Sequence, residues 1–382
     1  MSAHRMAITL AAAGLLATAC GSGAAQAPAE KPHGYVEGAE ETSEAQWRLV
    51  LTGDDGRVRL LDPATEKVTE AATAPGVTGA GSDGRFAYVT VPGGIRVIDT
   101  GVWTVDHGDH VHYYKTAVRD VGTLPGAAAA ITGDPSVTAI SDGTTVRVLD
   151  RKALESGKLP AARELPGSAA VAYAEHLVIA GRDGTVRVHD RQGAERSRLT
   201  ERCPQARGHA VTRRGAVLGC ADGALLVTGR GGRLTGTKIP YPGRVPETER
   251  ATGFHHRPDT PILAAKAGDR GLWMLDLAAR SWKRAGSAPM VAVSGTGEDS
   301  PVLALDADGT LRSYDATTGK ERDRTAVLKN PATPVIQVDT ARAYVNDSAG
   351  RRVIEIDYRD GLRRARTFDL PSAPAHLVET GW

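Results

Sequence analysis

From residue 46 onward the chain alternates apolar and polar residues in short runs. Each run is entered through a glycine-containing turn and usually ends in an aspartate. The copies are "DDGRVRLLD" (54–62), "PGGIRVID" (92–99), "SDGTTVRVLD" (141–150) and "RDGTVRVHD" (182–190), then "ADGALLVTG" (221–229), "AGDRGLWMLD" (267–276), "DADGTLRSYD" (306–315) and "SAGRRVIEID" (348–357). Their last residues fall at 62, 99, 150, 190, 229, 276, 315 and 357, giving steps of 37, 51, 40, 39, 47, 39 and 42. Alternation with period two is the signature of strands, and no long window carries a competing helical period. A repeat of about forty residues built from four short strands is the pattern of propeller blades.

One copy shows the internal logic. "AVAYAEHLVIAGRDGTVRVHDRQGAERSRL" (170–199) reads as two apolar strands joined by a turn, an Asp-Gly hairpin, an alternating strand and a polar outer strand. Asp-Gly suits a two-residue hairpin because glycine takes positive φ without steric cost. Each such sheet hides apolar surface only against its neighbours, so the ring must close. The expectation is an all-β chain forming a single β-propeller over residues 46–382, with eight blades, or seven if the weak copy at 221–229 is not a full blade. The first copy has a strand before it ("WRLVLTG") and one after it ("KVTEAAT") but lacks an innermost strand. The C-terminal "APAHLVETGW" is placed to supply that strand and latch the ring.

The N-terminus has a different pattern. "MSAHR" is a short basic region, and "MAITLAAAGLLATA" is an apolar run of 14 residues, too short to span a bilayer as a stable helix. Residues 1–19 therefore read as an export signal, and "LATAC" ending at Cys20 resembles a bacterial lipobox, with Ala17 where leucine is usual. The alternative is an ordinary signal peptide with an incidental cysteine. Lipidation of Cys20 would make the mature protein an extracytoplasmic one, lipid-anchored to the cell membrane. Residues 20–45 read as a flexible tether that becomes an acidic arm: 30–45 holds His33, Glu30, Glu37, Glu40, Glu41 and Glu44. Either it is a spacer, or it offers an incoming ligand during metal transfer. In the second case, deleting residues 31–45 is expected to spare the fold and the main affinity and to slow delivery.

Composition narrows the function classes. With 47 basic and 45 acidic residues the net charge is +2, and no arginine-rich tract stands out, so nucleic acid is excluded as a partner. Glycine is plentiful at 44 residues, as short strands joined by tight turns require. If Cys20 is lipidated, Cys203 and Cys220 remain as a pair. In an exported domain they read as a disulfide, which would contribute roughly 3 kcal/mol by closing their loop. A thiolate zinc pair is the rival.

The one anomalous step, 51 residues, contains "VDHGDHVHYY" (105–114), with His107, His110 and His112 interleaved with Asp106 and Asp109. If 110–114 is a strand, His110, His112 and Tyr114 share a face, and a turn built on Gly108 returns His107 towards it. Such imidazoles can converge on one ion, zinc being the first choice and copper or nickel the alternatives. Asp106 or Asp109 would then be a fourth ligand, or an acceptor that fixes an imidazole tautomer. Ligation needs neutral imidazole, so binding is expected to weaken towards about pH 6.

The segments "PHGYVEGAEE" (32–41), "IDTGVWTVDHGDHVHYYK" (98–115), the Cys203/Cys220 blade and "ARAYVNDSAGRRVIEID" (341–357) resemble the AztD-type zinc metallochaperones. The resemblance covers residues 32–382 and implies a monomeric extracytoplasmic propeller. Such a protein binds a zinc ion and delivers it to the solute-binding protein of a zinc ABC importer. The histidine cluster carries over as His107, His110 and His112. Relatives are expected to have a histidine soon after the first cysteine; here "CPQARGHAV" has Arg207 early and His209 later, so either His209 replaces a ligand or a site has been lost. His255 and His256 in "GFHH" read as a solvated loop, and His176, His189 and His376 as structural.

Two other functions compete. A propeller lactonase or metal hydrolase would draw single residues from several blades to the axis, and the chain has no G-x-S-x-G or H-E-x-x-H motif. A metal-free interaction scaffold would not need the cluster.

Overall fold

The computed structural model describes residue 34 and residues 36–382. The export signal, Cys20, His33 and the tether up to residue 33 lie outside the described residues. Nine antiparallel sheets are present among the described residues, and eight of them are blades.

Blade 1 orders its strands Pro374–Thr380, Arg48–Gly53, Arg57–Leu61 and Val68–Thr73, so the C-terminal strand is its innermost one. Leu49↔Glu379, Val50↔Val378 and Leu51↔Leu377 are among the pairs that close the ring, as the pattern predicts. Blades 2, 3, 4 and 5 open on the strands Gly79–Ser82, Ala130–Gly133, Ala169–Tyr173 and His209–Thr212. Blades 7 and 8 open on Met290–Gly295 and Ile336–Val338. Blade 5, the weak copy, is a full four-stranded sheet.

Blade 6 has three strands, Ile262–Lys266, Leu272–Asp276 and Ser281–Ala285. Its inner position is held by isolated bridges, His255↔Ala264 and His256↔Gly295. Pro258 and Pro261 follow in "HHRPDTP" and donate no backbone hydrogen bond, so a longer ladder cannot form there.

Apolar clusters fill every interface between successive blades, including that between blades 8 and 1, where Leu49, Leu51 and Leu377 pack on Tyr344 and Val353. Alternation sends Val50 to the blade 2 side and Leu49 and Leu51 to the blade 8 side. Because both faces of a blade are covered, inner strands read as continuous apolar runs such as "LVL".

The hairpin turns repeat one device. Asp142, Asp183 and Asp308 each accept a backbone N–H two residues on. An arginine on the strand that follows pairs back to the turn in several blades: Arg59–Asp55, Arg147–Asp142, Arg187–Asp183 and Arg312–Asp306. Cys203 and Cys220 form a disulfide with Cα atoms 4.9 Å apart, tying the loop before blade 5 to that blade's second strand. The thiolate alternative is thereby removed. No helix among the described residues is long and apolar enough to cross a membrane.

Candidate metal centre

The ninth sheet explains the long step. It is inserted between the third and fourth strands of blade 2 and consists of Val102–Asp106, Val111–Lys115 and, from the arm, Glu40–Thr42. Asp106 pairs with Val111, and the His107 N–H donates to the His110 carbonyl at 3.0 Å, so residues 107–110 form the turn. The Gly108 N–H donates to Asp106 Oδ1 at 2.7 Å, which tightens it. His112 and Tyr114 share a face of their strand and stack 6.0 Å apart.

The three imidazoles converge. One ligand atom from each of His107, His110 and His112 lies within 4.8 Å of the others. Ring centroids are 4.9 Å apart for His107–His110, 5.3 Å for His107–His112 and 4.9 Å for His110–His112. His112 is buried and the other two are exposed. A zinc–nitrogen bond of about 2.0–2.1 Å fits a triangle of this size.

Carboxylates hold two of the rings. His110 Nδ1 lies 2.7 Å from Asp109 Oδ1, and His112 Nδ1 lies 2.6 Å from Glu41 Oε1. A carboxylate on Nδ1 places the ring proton there and leaves Nε2 as the ligand atom, an arrangement common behind metal-bound imidazole. The hydrogen bond with His110 holds the Asp109 carboxyl below its ordinary range. The contact with His110 Nδ1 is the one the orienting role of Asp109 requires. Asp106 instead pairs with Arg213 of blade 5 at 2.6 Å.

Glu41 was not legible as a partner of the cluster, since 71 residues separate it from His112. It arrives because Glu40–Thr42 pairs with Val111–Lys115, Glu41 opposite Tyr114. The Tyr114 hydroxyl donates to the Gly34 carbonyl at 2.7 Å. A Cβ at position 34 would lie 2.7 Å from His112 Cε1, and φ there is +83°, so only glycine lets the backbone lie against this ring. His33 and Tyr35, which flank it, lie outside the described residues.

The hairpin reaches across the ring. At its base Trp103 stacks on Tyr114 and takes the Arg85 guanidinium 3.8 Å from its ring centroid, while Arg85 pairs with buried Asp99. Beyond the base, Thr104 donates to the Gly381 carbonyl, and Asp106 meets Arg213. Thr104, Asp106, Val111 and Tyr113 thus roof a cavity of about 580 Å³ whose other walls include Trp47, Arg213 and Glu298.

His209 is not part of the cluster. It begins the first strand of blade 5, and its Nε2 hydrogen-bonds the Ile131 carbonyl at 2.9 Å within the axial channel. His255 and His256 line the same channel: their segment fills the inner position of blade 6, where His255 stays exposed to solvent and His256 is half-buried. Desolvation lowers the pKa of His209 and His255, and holds His256 at about 4.

No profile of a known protein family matches the chain, and no curated protein matches it in sequence. Solved structures do. AztD of Citrobacter koseri aligns with a TM-score of 0.71 at 19% identity, covering 88% of this chain and 98% of that one. The apo form of the Citrobacter koseri protein gives 0.72 at 18% identity with the same coverage. The dihydro-heme d1 dehydrogenase NirN, in complex with DHE, gives 0.57 at 15% identity, covering 90% of this chain and 76% of that one. At these identities the likeness establishes the fold. One of these neighbours is an enzyme by name, so fold alone does not choose a function.

Proposed function

We propose that the protein is an extracytoplasmic zinc-binding metallochaperone without catalytic activity, which holds Zn²⁺ at His107, His110 and His112. It passes the ion to the solute-binding protein of an ABC importer. The observation that carries this reading is the convergence of three imidazoles with two orienting carboxylates on one hairpin. Zinc suits an imidazole set, and the two orienting carboxylates also raise the basicity of their rings. The resemblance in the segments around the cluster and the AztD-like fold support the choice of zinc and of a carrier role. The disulfide supports an oxidising compartment. A lipid at Cys20 would keep the carrier at the membrane surface where an importer works; intact-mass measurement of the membrane fraction tests it.

The handover follows from exposure. His107 and His110 are exposed, so a receptor's ligand can approach the ion from their side while buried His112 holds on. Metal analysis of the purified untagged protein, followed by chelator competition and stopped-flow transfer to the cognate solute-binding protein, tests the reading. A His110→Ala/His112→Ala variant that still binds zinc as tightly as the parent would remove its basis.

A further inference from the structure

Blade 5 breaks the rule that the other repeats obey. Seven of the eight copies end in aspartate, and in several blades that aspartate closes the turn after the third strand. Asp62 accepts the N–H groups of Ala64 and Thr65, and Asp315 those of Thr317 and Thr318. An acceptor of this kind ends a ladder locally, because it binds the backbone in a turn. The copy in blade 5 ends instead in Gly229, and the chain continues as "GRGGRL" (229–234).

Without that acceptor the ladder runs on. The third strand, Gly223–Arg230, and the fourth, Arg233–Pro240, have eight residues each. They pair without a break from Gly223↔Pro240 to Arg230↔Arg233. Gly231 and Gly232 join them with φ of +56° and +75°, the positive pair that a type I′ turn needs. A Cβ at either glycine would meet nothing within 4 Å, so the tip stands clear of the ring. The result is a β-finger tipped by two arginines. Like charges directly opposite one another on paired strands repel. Arg230 and Arg233 are both exposed, and neither has an ion pair among the described residues. Nothing in the fold of the finger calls for this pair, whereas an anionic surface arriving from outside would.

The finger stands on the hairpin side of the ring. In a four-stranded antiparallel blade the turns after the first and third strands lie at the same end. In blade 5 these turns hold Arg213 and Arg214, and the finger tip; in blade 2 the histidine hairpin leaves from that end. Arg213 meets Asp106, the residue before His107, so the turn that carries His107 and His110 lies beside blade 5. The acids nearby are already engaged: Asp106 with Arg213, Glu298 with Arg214 and Glu175 with Arg191. Asp259, bridged to Thr212, has no ion pair among the described residues. With four arginines and no acid on its own two turns, blade 5 presents a basic edge beside the imidazoles.

We propose that this finger, with Arg213 and Arg214 behind it, is a docking surface for an acidic face of the receiving protein. The proposal rests on the carrier reading above and adds where the receptor sits and by what chemistry. Guanidinium groups take carboxylates in bidentate pairs, and the ladder holds the two tip arginines at a fixed spacing. Opposite charge draws a partner in and fixes its orientation, here with His107 and His110 turned towards the incoming ligand. A bilayer of anionic lipid lying on the same face would cover those imidazoles instead.

The test uses the full-length chain and its cognate solute-binding protein. Arg230→Glu/Arg233→Glu should weaken binding between the two metal-free proteins at least about tenfold in a low-salt titration, and slow stopped-flow zinc transfer by a similar factor. Arg230→Ala/Arg233→Ala should fall between. Raising salt to about 0.3 M should slow the parent and change the reversed variant little, because salt screens exposed charge. Zinc affinity by chelator competition should stay parental, since neither arginine touches the histidine cluster. Parental docking and salt dependence in the reversed variant would overturn the surface. So would a parent that binds phosphatidylglycerol vesicles through these arginines but not the receptor. Docking that the parent shows and the variant loses, with no zinc passed by either, upholds the surface and counts against the carrier reading.

Discussion

At the residue scale, the candidate centre separates the imidazoles that would ligate from the carboxylates that would aim them. Truncating His112, buried and shared with Glu41, is expected to lower zinc affinity by at least about a hundredfold, because one of three protein nitrogens is lost. Glu41→Gln should cost about 10–100-fold, the range for an orienting carboxylate. Asp109→Asn should fall at the low end of about 10–100-fold, since that side chain is 84% exposed and competes with water. Chelator competition on the four proteins reads this order, and a Glu41→Gln variant with parental affinity would count against the orienting role. The histidines themselves stand out in the sequence because three fall within six positions. Glu41 does not, because its partner is set by a strand pairing across 71 residues.

At the scale of elements, the arm changes meaning. Its described part is no free tether: Glu40–Thr42 is the third strand of the hairpin sheet, and the Thr116 hydroxyl donates to the Gly38 carbonyl at 2.9 Å. Deleting residues 31–45 is therefore expected to weaken zinc binding, where the sequence suggested that it would spare it. Comparing that deletion with Glu41→Gln by the same titration isolates what the strand adds. The closing strand holds an element-scale prediction of its own. Desolvation pushes the Glu379 carboxyl well above its ordinary value, so the folded protein keeps a proton that the unfolded chain releases above about pH 4.5. Glu379 thus costs more stability as pH rises. Glu379→Gln should raise the melting temperature at pH 8 and change it little at pH 4.

At the scale of the molecule, stability lies in a closed ring of equivalent interfaces. Removing residues 374–382 strips Leu377 and Val378 from the two interfaces of blade 1, about 1.5–3 kcal/mol for each side chain, and exposes the edge of Arg48–Gly53. Broadened, aggregation-prone melting is expected in place of one cooperative transition. Acid should act through the channel. In the metal-free protein His256 stays neutral down to about 4, whereas the unfolded chain protonates near 6.5. Its contribution is complete above about 6.5, falls between 6.5 and 4, and is lost below, a change of at most about 3 kcal/mol. His209 and His255 shift in the same direction. Melts from pH 4 to 8 should show the loss, and His256→Asn should flatten it. Thiol counting on denatured, unreduced protein should find Cys203 and Cys220 blocked, and reduction should cost roughly 3 kcal/mol.

The sequence by itself determined the architecture, because a propeller is written in local terms. Period-two alternation, Asp-Gly turns and a spacing near forty residues each act within one blade, and blades that hide apolar faces only against neighbours must close. It also determined the hairpin, since "VDHGDHVHYY" brings its own turn and its own imidazoles. The tertiary structure alone decided what non-local pairing controls. It brought Glu41 onto His112 and tied Asp106 to Arg213 across the mouth. It also turned "GFHH", which prolines follow at 258 and 261, inward to the axis beside His209. Alternation says which face a side chain takes, but the axis exists only once the eighth blade meets the first, so no single blade's sequence marks which residues will line it.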